Sequence, residues 1–209
     1  MISRMVFDDV TLSFGDKLIF NNISCELDAG KVTSIVGVNG SGKSTFLKLA
    51  GQFIKPTSGK VAAFDGDIAV ERMELSKKTA AVAPSMNLYS ELTAIENITF
   101  FAGLRDIDLK HSDIDILFKR VGLNLDDKSK LISGYSTGMI QRLKFAILLA
   151  VEADVWLLDE PGSNLDETGR AMILNEVKRA ASEGKLILMA TNDRDEAEAG
   201  NETISLPIG

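Results

Sequence analysis

The sequence predicts an α/β fold with a mostly parallel sheet, an N-terminal antiparallel β subdomain and an inserted α-helical subdomain. Three observations predict it. Short apolar runs at 31–37, 155–159 and 186–190 read as strands of a sheet covered on both faces. Segments with helical apolar spacing alternate with them, the pattern of βαβ units. Residues 2–27 instead alternate apolar and polar, the period of a half-buried antiparallel pair.

In order along the chain, Phe14, Gly15, Asp16 and Lys17 form the turn between the first two strands. The run 31–37 leads directly into a glycine-rich loop, and 44–53 reads as a helix stopped by Pro56. Residues 59–65 and 79–83 read as further short strands. Thr93 and Glu96 have capping-box spacing ahead of an apolar run, so a helix is expected to start there. Ile114, Leu117, Phe118 and Val121 share one helical face, as do Ile140, Leu143, Ile147 and Ala150. Ile173, Leu174, Val177 and Ala181 mark a helix ending near Gly184. The expected organisation is one domain over 1–209, with 1–92 and 151–209 forming the core and β subdomain and 93–150 the helical subdomain.

Composition excludes several classes. At 209 residues, 45% apolar and 25% charged, the chain suits one packed globular domain. A net charge of −7 disfavours a protein that grips nucleic acid through its phosphates, so no nucleic-acid partner is expected. Cys25 is the single cysteine and His111 the single histidine, which removes disulfides, cysteine-rich metal sites and histidine triads. His111 reads as a solvated loop residue. The first ten residues lack the apolar core of a secretion signal, and the run 145–151 falls short of the ~20 residues that span a bilayer. The expectation is a protein soluble by itself, with any membrane role exerted through a partner.

Gly37-Val38-Asn39-Gly40-Ser41-Gly42-Lys43-Ser44 fits the phosphate-loop pattern between a strand and a helix, defining a P-loop NTPase core. Glycines let successive N–H groups point at phosphate oxygens, and the following helix start adds a positive dipole end. Lys43 is placed to reach the β- and γ-phosphates of ATP, Ser44 to ligate Mg²⁺, and Thr45 to set a hydroxyl near the α-phosphate. VWLLDE, at 155–160, ends a buried strand with two acids where ligands sit in open parallel sheets. Asp159 is the expected Mg²⁺ holder and Glu160 the residue that polarises the attacking water.

GVNGSGKS, VWLLDEP and SNLD (163–166), in that order, resemble the nucleotide-binding domains of ABC ATPases over nearly the whole chain. SNLD resembles the family's D-loop, which crosses the dimer interface. Tyr135-Ser136-Thr137-Gly138-Met139 occupies the place of the signature loop, 23 residues ahead of Asp159, and keeps the serine and second glycine of the usual Leu-Ser-Gly-Gly-Gln. The resemblance implies that Ser136 and Gly138 bind the γ-phosphate held by a second subunit, so that ATP joins a homodimer, or a heterodimer with a similar ATPase. It also matches Phe14 to the aromatic residue that stacks on adenine; read from the strand pattern alone, Phe14 could equally pack in the core.

Two family residues are missing. Asn192 follows Thr191 where the switch histidine belongs, and it carries no proton at neutral pH. No glutamine follows the strand around Ala83, where Ser85 or Asn87 stands nearest the Q-loop position. ATP binding is therefore expected to be intact and hydrolysis slow. The short length, LYSELTAIENI (88–98) and the altered signature resemble exporter ATPases of the ABC-2 group and haem-exporter subunits of cytochrome c maturation. That implies a transmembrane permease partner at the inner face of the cell membrane, with 85–103 lining the groove for its coupling helix. The alternatives are a soluble non-transport ABC ATPase and a regulatory nucleotide-binding subunit that barely hydrolyses.

Overall fold

The computed structural model describes residues 1–206. The alternating N-terminus forms β1 (Arg4–Phe14) and β2 (Lys17–Asp28), antiparallel, with Phe14 paired to Lys17 at the turn. With β4 (Ser58–Asp65) and β5 (Ile68–Val70) they make a four-stranded sheet of order β2-β1-β4-β5. The second sheet joins β3 (Val32–Gly37), β6 (Thr79–Val82), β7 (Val155–Asp159), β8 (Leu186–Thr191) and β9 (Glu202–Leu206) in the order β6-β7-β8-β3-β9, every pairing parallel. The three continuous apolar runs are its central strands β7, β8 and β3.

Helices cover both faces, which is why those strands carry no polar alternation. On one face lies α1 (Lys43–Ala50), whose buried Phe46 stacks on Phe7 at 4.6 Å and meets the edge of Phe20 at 6.1 Å. This aromatic trio fixes the antiparallel sheet, and with it the Phe14 turn, to the helix after the glycine-rich loop. On the other face, Trp156, Ile187 and Met189 pack with α5 (Thr137–Ala150) and α6 (Glu167–Ser182). Between β6 and α5 lie α3 (Ala94–Gly103) and α4 (His111–Arg120). Thr93 caps α3 with both bonds of a capping box, as its spacing with Glu96 predicts.

His111 corrects one expectation: it is exposed, but it opens α4 instead of sitting in a loop. Among the described residues, β5, α2 (Arg72–Lys78), α7 (Arg194–Glu198), β9 and two short 3-10 turns at Leu125–Asp127 and Ile132–Gly134 have no counterpart in the expectations from sequence. Among the described residues no helix is long and apolar enough to cross a membrane.

Candidate active site

Strand order decides which loops meet. Because β7, β8 and β3 are consecutive neighbours, the residue after β8 lies between the acids ending β7 and the loop after β3. That residue is Asn192. Its Oδ1 accepts from Lys43 Nζ at 2.6 Å, and its Nδ2 donates to Glu160 Oε1 at 2.9 Å and to Asn39 Oδ1 at 2.6 Å. Lys43, 7% exposed, also donates to the carbonyls of Gly37 at 2.8 Å and Val38 at 3.4 Å. One amide therefore joins the loop cation to the strand-end carboxylate.

The loop has the backbone an anion needs. Gly42 sits at φ +100°, and a Cβ there would come within 2.9 Å of the Phe20 ring, so only glycine fits. Gly42 is also the N-cap of α1, without a side-chain cap, and no acidic residue follows in the first turn. The free N–H groups and positive end of α1 are thus available to an anion with no internal competitor.

Beside this loop is a cavity of about 430 Å³. Asn39, Gly40, Gly42, Lys43, Ser44 and Thr45 line it from the loop, Asp159 and Glu160 from β7, and Phe14 from the first turn. Phe14 is 54% exposed, which removes the core-packing reading. Lys17, Ile19 and Pro84 line it too, unforeseen from the motifs. Gly37 and Ser41, expected there from the motif, are off the lining. The Ser41 N–H closes the loop onto the Val38 carbonyl at 3.1 Å, and its hydroxyl is buried without a partner. Ser136 and Gly138 are also elsewhere, at the start of α5, where the Ser136 hydroxyl accepts from the Met139 N–H at 3.2 Å. The turn after Glu160 is tied to α5 by Gln141 Nε2 on the Pro161 carbonyl at 2.7 Å and by Arg142 on Asp166 at 2.8 Å.

Glu160 takes a left-handed φ of +50°, which turns the chain sharply off β7. Burial raises its pKa above the ordinary carboxylate range and Asp159 and Asp193 add to this; Lys43 and an Asn192 hydrogen bond pull the other way. Ser44 and Asp159 both line the cavity, an oxygen-only donor pair, and among the described residues no cluster of three or more metal-binding side chains exists. That donor set fits magnesium, a hard cation that completes its shell with phosphate oxygens and water.

Glu196 belongs to this region and carries no motif. It is 3% exposed and accepts from Thr191 Oγ1 at 2.5 Å. A Cβ at Gly162 would lie 2.0 Å from its Oε1, so any larger residue there would displace the carboxylate from this position. Burial raises its pKa above the ordinary value, opposed by bonds from Thr191 and the Gly162 backbone. The folded protein thus holds this proton more tightly than the unfolded chain. Its stabilising contribution is complete below the unfolded glutamate pKa of about 4.3 and is lost as pH rises through the folded value. Glutamine cannot ionise. The Tm of Glu196→Gln relative to the parent is expected to move upward between about pH 4 and about pH 7.5 in thermal melts, and a flat difference would refute this.

Comparison with known proteins places the chain in a family. The chain is 31% identical over 192 residues to the bacitracin transport ATP-binding protein BcrA of Enterococcus faecalis, covering 91% of this chain and 62% of that protein. It is 32% identical over 186 residues to the lantibiotic transport ATP-binding protein SrtF of Streptococcus pyogenes, covering 89% and 79%. It therefore spans about three-fifths of the length of the bacitracin relative. A bacterial ABC transporter cassette, solved as a dimer in a post-hydrolysis state with ADP and phosphate, superposes with a TM-score of 0.84 at 26% identity, covering 97% of this chain and 94% of that one. The ABC transporter family model matches residues 20–163, a stretch that takes in the glycine-rich loop, the signature position and both acids ending β7, and the chain belongs to that family.

Proposed function

We propose that this chain binds and hydrolyses ATP as the motor subunit of an ABC exporter. The observation that carries the reading is the Lys43–Asn192–Glu160 cluster beside a helix start free of acidic residues. In it Lys43 turns from backbone carbonyls to the β- and γ-phosphates, and Glu160 takes up the proton of the attacking water. Phe14 stacks on the base. Ser44 and Asp159 would hold a magnesium ion, which neutralises charge on the phosphates when bound. Two copies face each other, the start of α5 at Ser136 and Gly138 closing on the other copy's triphosphate. The relatives are named for bacitracin and lantibiotic transport, which supports a transporter motor and gives no support to the haem-export reading.

The membrane partner docks in a groove of about 720 Å³ beside β6, lined by Ser85, Met86, Phe101 and Leu104 among others. Residues 93–150 act as a helical subdomain that contributes Phe101 and Leu104 to this groove, while the segment 79–86 supplies the larger share of its lining. A phosphate-release assay tests the motor: Asn192 in the switch position supports turnover below about 1 s⁻¹, against about 10 s⁻¹ for a median enzyme. Full-speed turnover by the isolated chain would defeat the slow reading. No phosphate release at all, even with membranes holding the partner, would leave only a nucleotide-binding subunit.

A further inference from the structure

Helix α5 carries a buried cation that the mechanism leaves unused. Lys144 is 6% exposed, between Leu143 and Phe145, both fully buried. Its amine donates to the Ala83 carbonyl at 3.0 Å and the Pro84 carbonyl at 3.3 Å. Desolvation alone shifts its pKa, downward, with no carboxylate contributing. Two neutral carbonyls compensate poorly for removing an ammonium from water, and an apolar side chain of similar volume would cost less. Stability does not explain a lysine here.

The place it grips does. Ala83 and Pro84 follow β6, and Pro84 is one of three residues, with Ser44 and Asp159, that line both the 430 Å³ cavity and the 720 Å³ groove. The carbonyls under Lys144 thus belong to the wall between the two. From Lys144 the helix runs back to Ser136, about 12 Å at 1.5 Å per residue. One turn nearer that end, buried Gln141 holds Pro161, just after Glu160. Helix α5 is fastened by Gln141 and Arg142 to the segment after the strand-end acids, and by Lys144 to the shared wall. Of these fastenings only Lys144 reaches a surface open to the groove.

We propose that Lys144 is a positioning residue that ties the wall shared by cavity and groove to the helix opening at Ser136, so that the three move as one unit. This rests on the cavity taking ATP. A charge suits the task because an ammonium makes directional, charge-assisted bonds to both carbonyls at once, whereas a methionine would pack and let the wall slide.

Lys144→Met and Lys144→Gln, each beside the parent, test it by amide hydrogen exchange with and without the magnesium complex of a non-hydrolysable ATP analogue. In the parent, the analogue is expected to slow exchange in 37–45, in 85–90 and in 136–142. In Lys144→Met the protection of 37–45 persists with an analogue Kd within about twofold and an equal or higher Tm, while protection of 136–142 drops at least about threefold. Lys144→Gln, which keeps a donor, is expected to lie between. The proposal is overturned if Lys144→Met passes protection to 136–142 as the parent does, if the parent shows none there, or if both variants lose stability and analogue affinity together. Absence of protection at 37–45 in the parent would instead bring down the ATP reading, and this proposal with it.

Discussion

Glu160→Gln is expected to lower ATP turnover by about 10²- to 10⁴-fold, the usual share of a positioned general base, while ATP affinity stays within about twofold. The geometry separates the two effects. Glu160 stands at the end of β7 in a left-handed turn, its Oε1 held by Asn192 Nδ2 at 2.9 Å. Glutamine keeps the volume and an oxygen for that bond but cannot accept a proton from water. The loop amides, Lys43 and Phe14, to which the proposed function assigns binding, are untouched. With hydrolysis blocked, ATP and Mg²⁺ are expected to hold two copies together as a dimer in analytical ultracentrifugation, reverting to monomer with ADP. Turnover within tenfold of the parent would remove Glu160 from the base role, and a monomer at saturating ATP would count against the closing of Ser136 on a second copy's nucleotide.

The sequence made legible what is local and apolar. The central strands, the glycine loop and the Thr93 cap are contiguous patterns whose chemistry depends on neighbours a few residues away. What it hid falls into three kinds. Helix α2 buries only Leu75, and α7 is five residues reading RDEAE, so neither has an apolar stripe to detect. The contacts of Asn192 with Asn39 and Lys43 span 153 and 149 residues and follow from strand order, which no short pattern encodes. Buried charge is the harder case. Lys144 sits four residues after Ile140 and three before Ile147, inside the stripe that predicts the buried face of α5, and this was the available signal. Glu196 offers none: its burial depends on Gly162, more than thirty positions away, leaving room for its carboxylate.

Lys43→Ala is expected to weaken ATP binding at least about 100-fold, the loss of two charge-assisted hydrogen bonds at about 1.5–3 kcal/mol each. The lysine is buried at the mouth of α1, and its three partners, Gly37, Val38 and Asn192, are all acceptors. Alanine leaves these oxygens converging on a space that a γ-phosphate would have to share with them, so the variant loses an attraction and gains a repulsion. Arginine does not rescue it, because a planar guanidinium exceeds the room that three acceptors within 3.4 Å define around an ammonium. Calorimetric titration of both variants with ATP at fixed Mg²⁺ measures the effect, and a Kd within about fivefold of the parent for Lys43→Ala would mean the phosphates lie elsewhere. Asn192→Ala gives the decisive contrast. It removes the amide joining Lys43 to Glu160 yet leaves the cation, so affinity should survive while turnover falls, dividing the binding half of the cluster from the chemical half.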